Sequence, residues 1–338
     1  MKKNRTSDVL IMIALTGIGV MLILRQKEVS AAIIESLKNC VYRIIPSLFA
    51  MTAVSTAISR SGIVAKALGN VKIDANIFTA FIFGNIGGYP VGAKLLAEMV
   101  DDGRLNPLQA ERALCFCYGS GPAFAAGVVG TAIYGDVRFG LSALLAGFSA
   151  NLTLYMFYLI KSKNRDFSRC VAATGFSTKL MIDSVNSATG AMTAICSMIL
   201  FFSAIKAILE SMIPQLSGMK YFSSILEISN ISSLSSRQGV SLVVVAVLLS
   251  FGGLCVQMQL LSIIGEKISV KRFYLTRLIS LPLTAIYAFM LEKLLYALGI
   301  VSTVTTKIRL SRNSSLIPII CVLAMVFITL KEKTAPND

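Results

Sequence analysis

Long apolar runs recur along the whole chain, and they restrict the class of fold that it can adopt. The first, VLIMIALTGIGVMLIL, has 16 residues, and the late run SLIPIICVLAMVFITL has the same length. A hydrocarbon core roughly 30 Å thick is crossed by about 20 helical residues. Hydrophobic residues make up 55% of the 338 residues, more than in a typical soluble domain. The sequence therefore predicts an all-α, polytopic membrane protein, a single domain over residues 1–338 with about 8 membrane segments.

The basic residues lie between the apolar runs. The net charge is +15, from 32 Lys and Arg against 17 Asp and Glu, and basic groups occur in connecting stretches such as NRDFSR and KIRLSR. Cytoplasmic loops of membrane proteins carry such an excess of positive charge. We therefore expect the lipid bilayer, and not nucleic acid, to be the partner of this charge. The N-terminus and the loop over residues 161–179 are predicted to be cytoplasmic, and the first helix is predicted to be uncleaved.

The residue types that most catalytic and metal sites need are missing. Histidine is absent, and the seven cysteines show no CxxC spacing. Histidine is the commonest general base and a common metal ligand. A serine nucleophile at Ser120 would depend on a lysine base, which no SxxK spacing supports. We expect no enzymatic activity, no catalytic residue, no metal site and no cofactor.

Two apolar segments are broken by glycine and proline. One is FIFGNIGGYPVGAKLLAEMV, residues 81–100, and the other contains GSGP at residues 119–122. Inside lipid, irregular backbone survives only where it is buried in protein or lines a wet cavity. Helix ends at such breaks present free N–H groups and a partial positive charge, which suit a carboxylate or phosphate. The breaks are therefore predicted to be hairpin tips that face a cavity, and the expected ligand is a small anionic solute.

The second half of the chain repeats this pattern. A shift of 165 residues lays Gly87 and Gly88 over Gly252 and Gly253, and the proline of GSGP then faces Pro282 after a short gap. Matched breaks in two halves indicate the central site of a transporter. We predict a two-fold internal repeat with four breaks in two matched pairs, each half containing a re-entrant or broken-helix hairpin. The repeats are assigned to residues 75–160 and 239–298.

Some charged and small residues have two interpretations. Lys94 suits an anion, but it also fits a lysine that reaches the membrane interface or a helical pair with Glu98 at the (i, i+4) spacing. Asp183 fits a solvated helix end or a ligand for a coupling ion, Na⁺ or H⁺. A stripe of small or polar residues from Asp183 to Ser197 favours the close approach of another helix or of a hydrated path.

We predict a substrate cavity between the breaks. Lys94 and the helix ends would attract an anion, Tyr89 would stack on it, and the hairpins would move as gates. The predicted lining residues are Asn85, Gly87, Gly88, Tyr89, Lys94, Ser120, Gly121, Gln257 and Gln259. The competing interpretation is a membrane assembly factor that transports nothing and whose breaks serve helix packing or partner docking.

A longer run carries a resemblance to a known family. GGYPVGAKLLAEMVDDGRLNPLQAERALCFCYGSGPAFAAGVVGTAIYG resembles the signature of the YlbJ-type sporulation integral membrane proteins, in the nucleoside-recognition or Gate superfamily. IIPSLFAMTAV is similar to the family's Pro-Ser-Leu-Phe segment, and GGLCVQMQ is similar to its second-half motif. The resemblance covers residues 40–310 and is strongest over 84–135.

The resemblance implies a fold similar to that of concentrative nucleoside transporters, with two Gate-like hairpins meeting at a midplane site. It also implies a multi-pass protein of the bacterial cell membrane that acts in endospore formation. The implied activity is the movement of dipicolinic acid across a forespore membrane, which we expect to be the outer one. A carrier of nucleosides or of another small solute, dependent on Na⁺ or H⁺, stays open as an alternative.

Overall fold

The fold is a bundle of membrane-length helices. A computed structural model describes residues 5–69, 73–161, 175–234 and 240–297, and every regular element in these ranges is helical. Five described stretches are long and apolar enough to cross a membrane: Gln26–Ser61, Val137–Lys161, Thr178–Met212, Leu242–Ile264 and Lys271–Ala297. The prediction of an all-α, multi-pass membrane protein is confirmed. The apolar run at 315–330 and most of the basic loop at 161–179 lie outside the described residues.

The helices follow one another with short connections. In chain order they are α1 (Arg5–Leu24), α2 (Gln26–Asn39), α3 (Ile45–Ser61), α4 (Ile63–Leu68), α5 (Ala75–Ile86), α6 (Val91–Asp101), α7 (Pro107–Leu114), α8 (Val137–Lys161), α9 (Thr178–Met212), α10 (Phe222–Leu226), α11 (Leu242–Phe251), α12 (Gly253–Ile264) and α13 (Lys271–Ala297). A π-helical turn, Cys40–Ile44, joins α2 to α3, and a π-helix, Phe124–Tyr134, precedes α8. Short 3₁₀ turns cover Pro214–Leu216 and Ile228–Ser233.

The first predicted break is a re-entrant hairpin. α5 and α6 have 12 and 11 residues, so each is about 16–18 Å long, roughly half of the hydrocarbon core. The connection contains Gly88, whose φ of 81° lies in the left-handed region that favours glycine. The two helices then touch backbone to backbone, because a Cβ on Gly84 would lie 3.0 Å from the Cα of Gly92. The chain therefore enters the bundle and turns back within it.

The second break lies at the centre of the bundle. Gly252 and Gly253 have φ angles of 82° and 79°. The chain changes neighbours at this point, since α11 packs on α8 and α13 whereas α12 packs on α6 and α9. The most apolar window of this α11–α12 stretch is 83% buried, against 28–33% for the other four candidate spans. Protein, rather than lipid, therefore surrounds this broken helix.

The break at GSGP is an extended segment between α7 and the second π-helix. Asn106 caps α7: its side chain accepts a hydrogen bond from the backbone N–H of Gln109 at 2.8 Å, and the Gln109 side chain accepts one from the backbone N–H of Asn106 at 2.9 Å. Helix α7 ends at Leu114, and residues 118–121 have no regular structure. This predicted break is confirmed.

The fourth predicted break is wrong. α13 continues from Lys271 to Ala297 with Pro282 inside it. Proline is tolerated in a membrane helix when nearby hydroxyl groups and neighbouring helices satisfy the local backbone. Pro282 removes only the helical donor to the carbonyl oxygen of Leu278, and the helix continues on both sides of it. Three of the four predicted breaks are therefore present in the described residues, at 87–90, at 115–121 and at Gly252.

The two halves share an order of elements. In each, a broken helix comes first and a long helix follows, α5–α6 with α8 and α11–α12 with α13. α7 and the second π-helix have no counterpart in the second half, so the repeats at 75–160 and 239–298 stay a prediction. On α9, Asp183, Gly190 and Ser197 of the predicted stripe are exposed, so none of the described helices covers these three positions.

Candidate functional site

The extended segment after α7 is held against the first hairpin by backbone contacts. A Cβ on Gly84 would lie 2.6 Å from the carbonyl oxygen of Cys117, and one on Gly88 would lie 2.9 Å from the backbone nitrogen of Gly121. Only hydrogen fits in these positions without a shift of backbone. The glycines that break the sequence therefore allow two irregular segments to lie side by side.

Two asparagines fix this arrangement. The Asn85 amide donates to the carbonyl oxygens of Phe81 and Phe116 at 2.8 and 3.0 Å. The Asn151 amide, from α8, donates to the Asn85 side-chain oxygen and to the carbonyl oxygen of Tyr118, both at 2.7 Å. The bonds to Phe116 and Tyr118 satisfy carbonyl groups that the break leaves without helical partners. The sequence analysis missed Asn151, although an amide within an apolar span is a recognisable signal.

Tyr118 joins the first break to the second. Its ring stacks on Tyr89 with centroids 5.3 Å apart, and its hydroxyl donates to the carbonyl oxygen of Phe251 at 3.0 Å. The Gln257 amide donates to the same carbonyl at 2.7 Å and to the Tyr118 hydroxyl at 3.2 Å. A Cβ on Gly252 would collide with the Tyr118 hydroxyl. In the structure Gln257 therefore holds the Tyr118 side chain in place. The sequence analysis selected Gln257 but not Tyr118.

Arg277 supports Tyr118 from behind. It is fully buried, and its guanidinium carbon lies 5.0 Å from the Tyr118 ring centroid and 4.9 Å from that of Phe273. Its Nη2 donates to the carbonyl oxygen of Cys115 at 2.7 Å, at the C-terminal end of α7, where a positive charge is favoured. Among the described residues, its Nε and Nη1 have no hydrogen-bond partner.

An inner cavity of about 40 Å³ lies where the breaks meet. Polar and glycine residues from several elements share its wall: Ser47, Gly88, Tyr89, Gly121, Glu227, Ser229 and Gln259. Four of the predicted site residues, Gly88, Tyr89, Gly121 and Gln259, are therefore brought together. The described residues that line this cavity include an acidic side chain and no basic one. The Tyr89 hydroxyl has no hydrogen-bond partner among the described residues.

A larger cavity, which we call the vestibule, opens beside the inner one. Its volume is about 750 Å³, and α2, the first π-helical turn, α9 and the 3₁₀ turn Ile228–Ser233 form its walls. Acidic and basic side chains both line it: Glu28, Glu35, Lys38, Arg43, Lys206 and Glu210. Ser229 lines both the vestibule and the inner cavity. The two spaces are therefore adjacent at this residue.

Glu227 lies at this junction and was missed by the sequence analysis. It is 6% exposed. Its Oε1 accepts a hydrogen bond from the backbone N–H of Ser229 at 2.9 Å, and its Oε2 accepts one from the Ser229 hydroxyl and one from the Asn230 amide at 3.2 Å. The Asn39 amide donates in turn to the Ser229 hydroxyl at 3.0 Å, and Lys206 donates to the Asn230 side-chain oxygen at 3.3 Å. Burial raises the pKa of the Glu227 carboxyl above its usual value, although the hydrogen bonds from Ser229 and Asn230 oppose the shift.

Lys94 lies outside both cavities. Its ammonium donates to Glu98 at 2.6 Å and to the Thr56 hydroxyl at 3.0 Å. The same carboxylate accepts a bond from Ser187 at 2.7 Å and lies 3.4 Å from the Nε of Arg60. The cluster ties α6 to α3 and α9, which favours the helical-pair interpretation of Lys94 and Glu98 over a place in the substrate cavity.

The remaining predicted residues flank the inner cavity. Asn85 and Ser120 line a separate space of about 10 Å³. Gly87 lies inside the first break, and its carbonyl oxygen is 3.5 Å from where a Cβ on Gly121 would lie. The binding role of all nine predicted residues stays a prediction. Among the described residues, no group of three or more Cys, Asp or Glu side chains could hold a metal ion.

The fold and this site define a multi-pass helical membrane protein with two broken helices around an internal cavity. The chain is similar to the sporulation integral membrane protein YlbJ of Bacillus subtilis (strain 168), with 25% identity over 263 residues. The match covers 63% of this chain and 63% of that relative. It confirms the resemblance to YlbJ-type proteins that the run around GGYPVGAK indicates. No family model matches the chain, and no solved structure gave a significant match.

Proposed function

We propose that this protein carries a small solute across a membrane of a spore-forming cell, through the cavity between its two broken helices. The observation that carries the proposal is that one inner cavity is lined by the first break, at Gly88 and Tyr89, and by Gln259 just after the second. Transporters place their substrate sites at the meeting point of discontinuous helices. The role in sporulation is supported by the name of the similar Bacillus subtilis protein.

The vestibule supplies the route to this cavity. Its volume of about 750 Å³ exceeds the need of a small solute, and its shared wall at Ser229 leads to the inner cavity. The inner space, about 40 Å³, is too small for a whole substrate, so binding requires the breaks to move apart. The glycines at these breaks, Gly88 and Gly252, would act as hinges because positive φ angles cost glycine little.

A small anion is the proposed substrate class, with dipicolinic acid as the specific candidate. Lys38, Arg43 and Lys206, which line the vestibule together with three glutamates, would contact its carboxylates. The Tyr89 ring would stack on its pyridine ring, and the Gln259 amide would bind a carboxylate. The acidic Glu227 beside the inner cavity favours a second candidate, a neutral polar solute such as a nucleoside.

The test is uptake of radiolabelled dipicolinate into proteoliposomes that contain the full chain. We expect saturable uptake that Gln259→Leu reduces about tenfold, the effect of about 1.4 kcal/mol of lost substrate binding. Gln215→Leu is the matched control, because Gln215 is exposed and lines neither cavity. Competition by unlabelled uridine would favour the nucleoside alternative. Folded protein that moves neither solute would favour a membrane assembly factor.

A further inference from the structure

We propose that Glu227 is a proton-binding site at the boundary between the vestibule and the inner cavity, and that its protonation lets an anionic substrate enter with a proton. The site itself is inferred from the burial of the carboxyl group, its place in the wall of the inner cavity and, among the described residues, the absence of a cation in direct contact with it. The coupling to substrate rests in addition on the proposed transport function.

The position of Glu227 suits control of the passage. Its side chain lines the inner cavity, whereas its partners Ser229 and Asn230 line the vestibule. Asn39 on α2 and Lys206 on α9 hold these two partners. A solute moving from the vestibule to Tyr89 would therefore pass this carboxyl group.

An unprotonated Glu227 would oppose an anion in the inner cavity. A buried carboxylate is costly unless it is paired or neutralised, and Lys206 reaches it only through Asn230. The titratable groups that face it from the packed elements are Lys206 on α9, Cys40 on the first π-helical turn, Cys255 on α12 and Tyr89 in the first break. Lys206 is the only cation among these described groups.

The hydrogen bonds leave room for a proton but not for a metal cation, and the burial of the carboxyl group outweighs their stabilisation of the ionised form. A carboxylate has about four lone-pair positions, and three are used by donors from Ser229 and Asn230. Hard cations require several oxygen ligands around them, whereas the closest neighbours of this carboxylate donate hydrogen. One remaining lone pair is sufficient for a proton. The raised pKa of the Glu227 carboxyl is consistent with this choice.

The proton step is a simple exchange. A hydronium ion or a protonated buffer in the vestibule transfers H⁺ to a Glu227 oxygen, which leaves water or the buffer base and a neutral carboxylic acid. After the substrate has moved, the carboxylic acid returns H⁺ to water on the other side. One proton therefore accompanies each substrate, and no bond in the substrate changes.

The first experiment measures protonation without transport. Infrared difference spectra of the full protein in liposomes are recorded between pH 5 and pH 9, for wild type, Glu227→Gln and the control Glu210→Gln, which removes another vestibule carboxyl. We expect a carboxylic-acid band that persists to higher pH than the bands of exposed carboxyl groups, is lost in Glu227→Gln and remains in Glu210→Gln. If Glu227→Gln does not fold, Glu227→Asp should shift the same band. A band that is absent in wild type, or unchanged in both Glu227 variants, overturns the site.

The second experiment measures coupling. A pH-sensitive dye trapped in proteoliposomes reports proton entry when dipicolinate is added outside at zero membrane potential. We expect proton entry in wild type and in Glu266→Gln, which changes an exposed carboxyl outside both cavities, and its loss in Glu227→Gln. Dipicolinate uptake without proton entry overturns the coupling while the transport function stands. Absence of any uptake counts against the transport function, and the infrared result still decides the proton site.

Discussion

The hydroxyl of Tyr118 donates a hydrogen bond to the carbonyl oxygen of Phe251, 133 residues later in the chain, at 3.0 Å. This bond joins the segment beside the first hairpin to the last residue of α11, where the second broken helix is interrupted. The side chain that makes this connection is itself packed between Tyr89 and Arg277, so we expect a movement at one break to act on the other through it.

Tyr118→Phe should weaken this connection. The substitution keeps the ring but removes the bond to Phe251 and the acceptor for Gln257, so we expect a loss of about 1 kcal/mol in the free energy of unfolding. Reversible unfolding in detergent micelles measures it. Tyr42→Phe serves as control because Tyr42 is 78% exposed. Equal stabilities of Tyr118→Phe and wild type would show that the bond does not contribute.

Gly92→Ala should disrupt the hairpin. The added methyl group would collide with the carbonyl oxygen of Cys117, which is backbone and not free to rotate away. We expect destabilisation of about 1–3 kcal/mol, as for other overpacked positions. Gly190→Ala is the matched control on a helix: nothing lies within 4 Å of its added Cβ, so alanine should be neutral or stabilising there. The melting temperature should fall relative to wild type in Gly92→Ala, whereas in Gly190→Ala it should stay the same or rise.

Lys94→Met should reduce stability rather than substrate affinity. The Glu98 side chain, 14% exposed, would lose its closest positive partner, and we expect a cost of about 2 kcal/mol, less than for a fully buried pair. Adding Glu98→Leu should recover part of this loss. A double-mutant cycle on unfolding measures the coupling. An unchanged stability combined with a raised KM for uptake would instead return Lys94 to the substrate site.

Arg277→Lys should not be a conservative change. A lysine cannot stack a planar guanidinium on Tyr118 and Phe273, and it would also place its charge away from Cys115. We expect a loss of about 1–3 kcal/mol in unfolding free energy. Arg272→Lys, on the same helix and with 52% of its side chain exposed, should change little. Similar effects of the two substitutions would contradict the supporting role of Arg277.

The pH dependence of stability should carry a contribution from Glu227 with a defined sign. Its pKa is raised in the folded protein by burial, so the folded state binds the proton more tightly than the unfolded state. The contribution is complete below the unfolded pKa and is lost as pH rises through the folded pKa. Wild type should therefore lose stability relative to Glu227→Gln as pH increases. Parallel unfolding curves for the two proteins across this range would contradict it.

The sequence predicted the positions of the breaks because glycine and proline act locally. Gly88 and Gly252 have positive φ angles, which favour glycine over other residues. Asn106 caps α7 by bonding Gln109, only three residues later in the chain. The predicted break at Pro282 was wrong because proline alone does not end a membrane helix when its surroundings satisfy the backbone.

The sequence could not predict how these segments meet. Glu227 reaches the inner cavity from a polar connector with no helical periodicity, and Asn151 is one amide in an otherwise apolar span. Lys94 was predicted to lie in the substrate site because its contacts are distant in the sequence. Thr56 lies 38 positions before it, and Ser187, which bonds the same Glu98 carboxylate, lies 89 positions after Glu98. Such contacts depend on tertiary packing, which a single sequence does not encode in its spacing.

The short helices of the first hairpin have a consequence for biogenesis. Neither α5 nor α6 is long enough to be inserted as a span by itself, and two of the groups that hold them are synthesised later: Asn151 comes 66 residues after Asn85, and Ser187 comes 89 residues after Glu98. When the ribosome delivers this hairpin, Thr56 and Arg60 on α3 are already present. Its packing is complete only after α8 and α9 have been made.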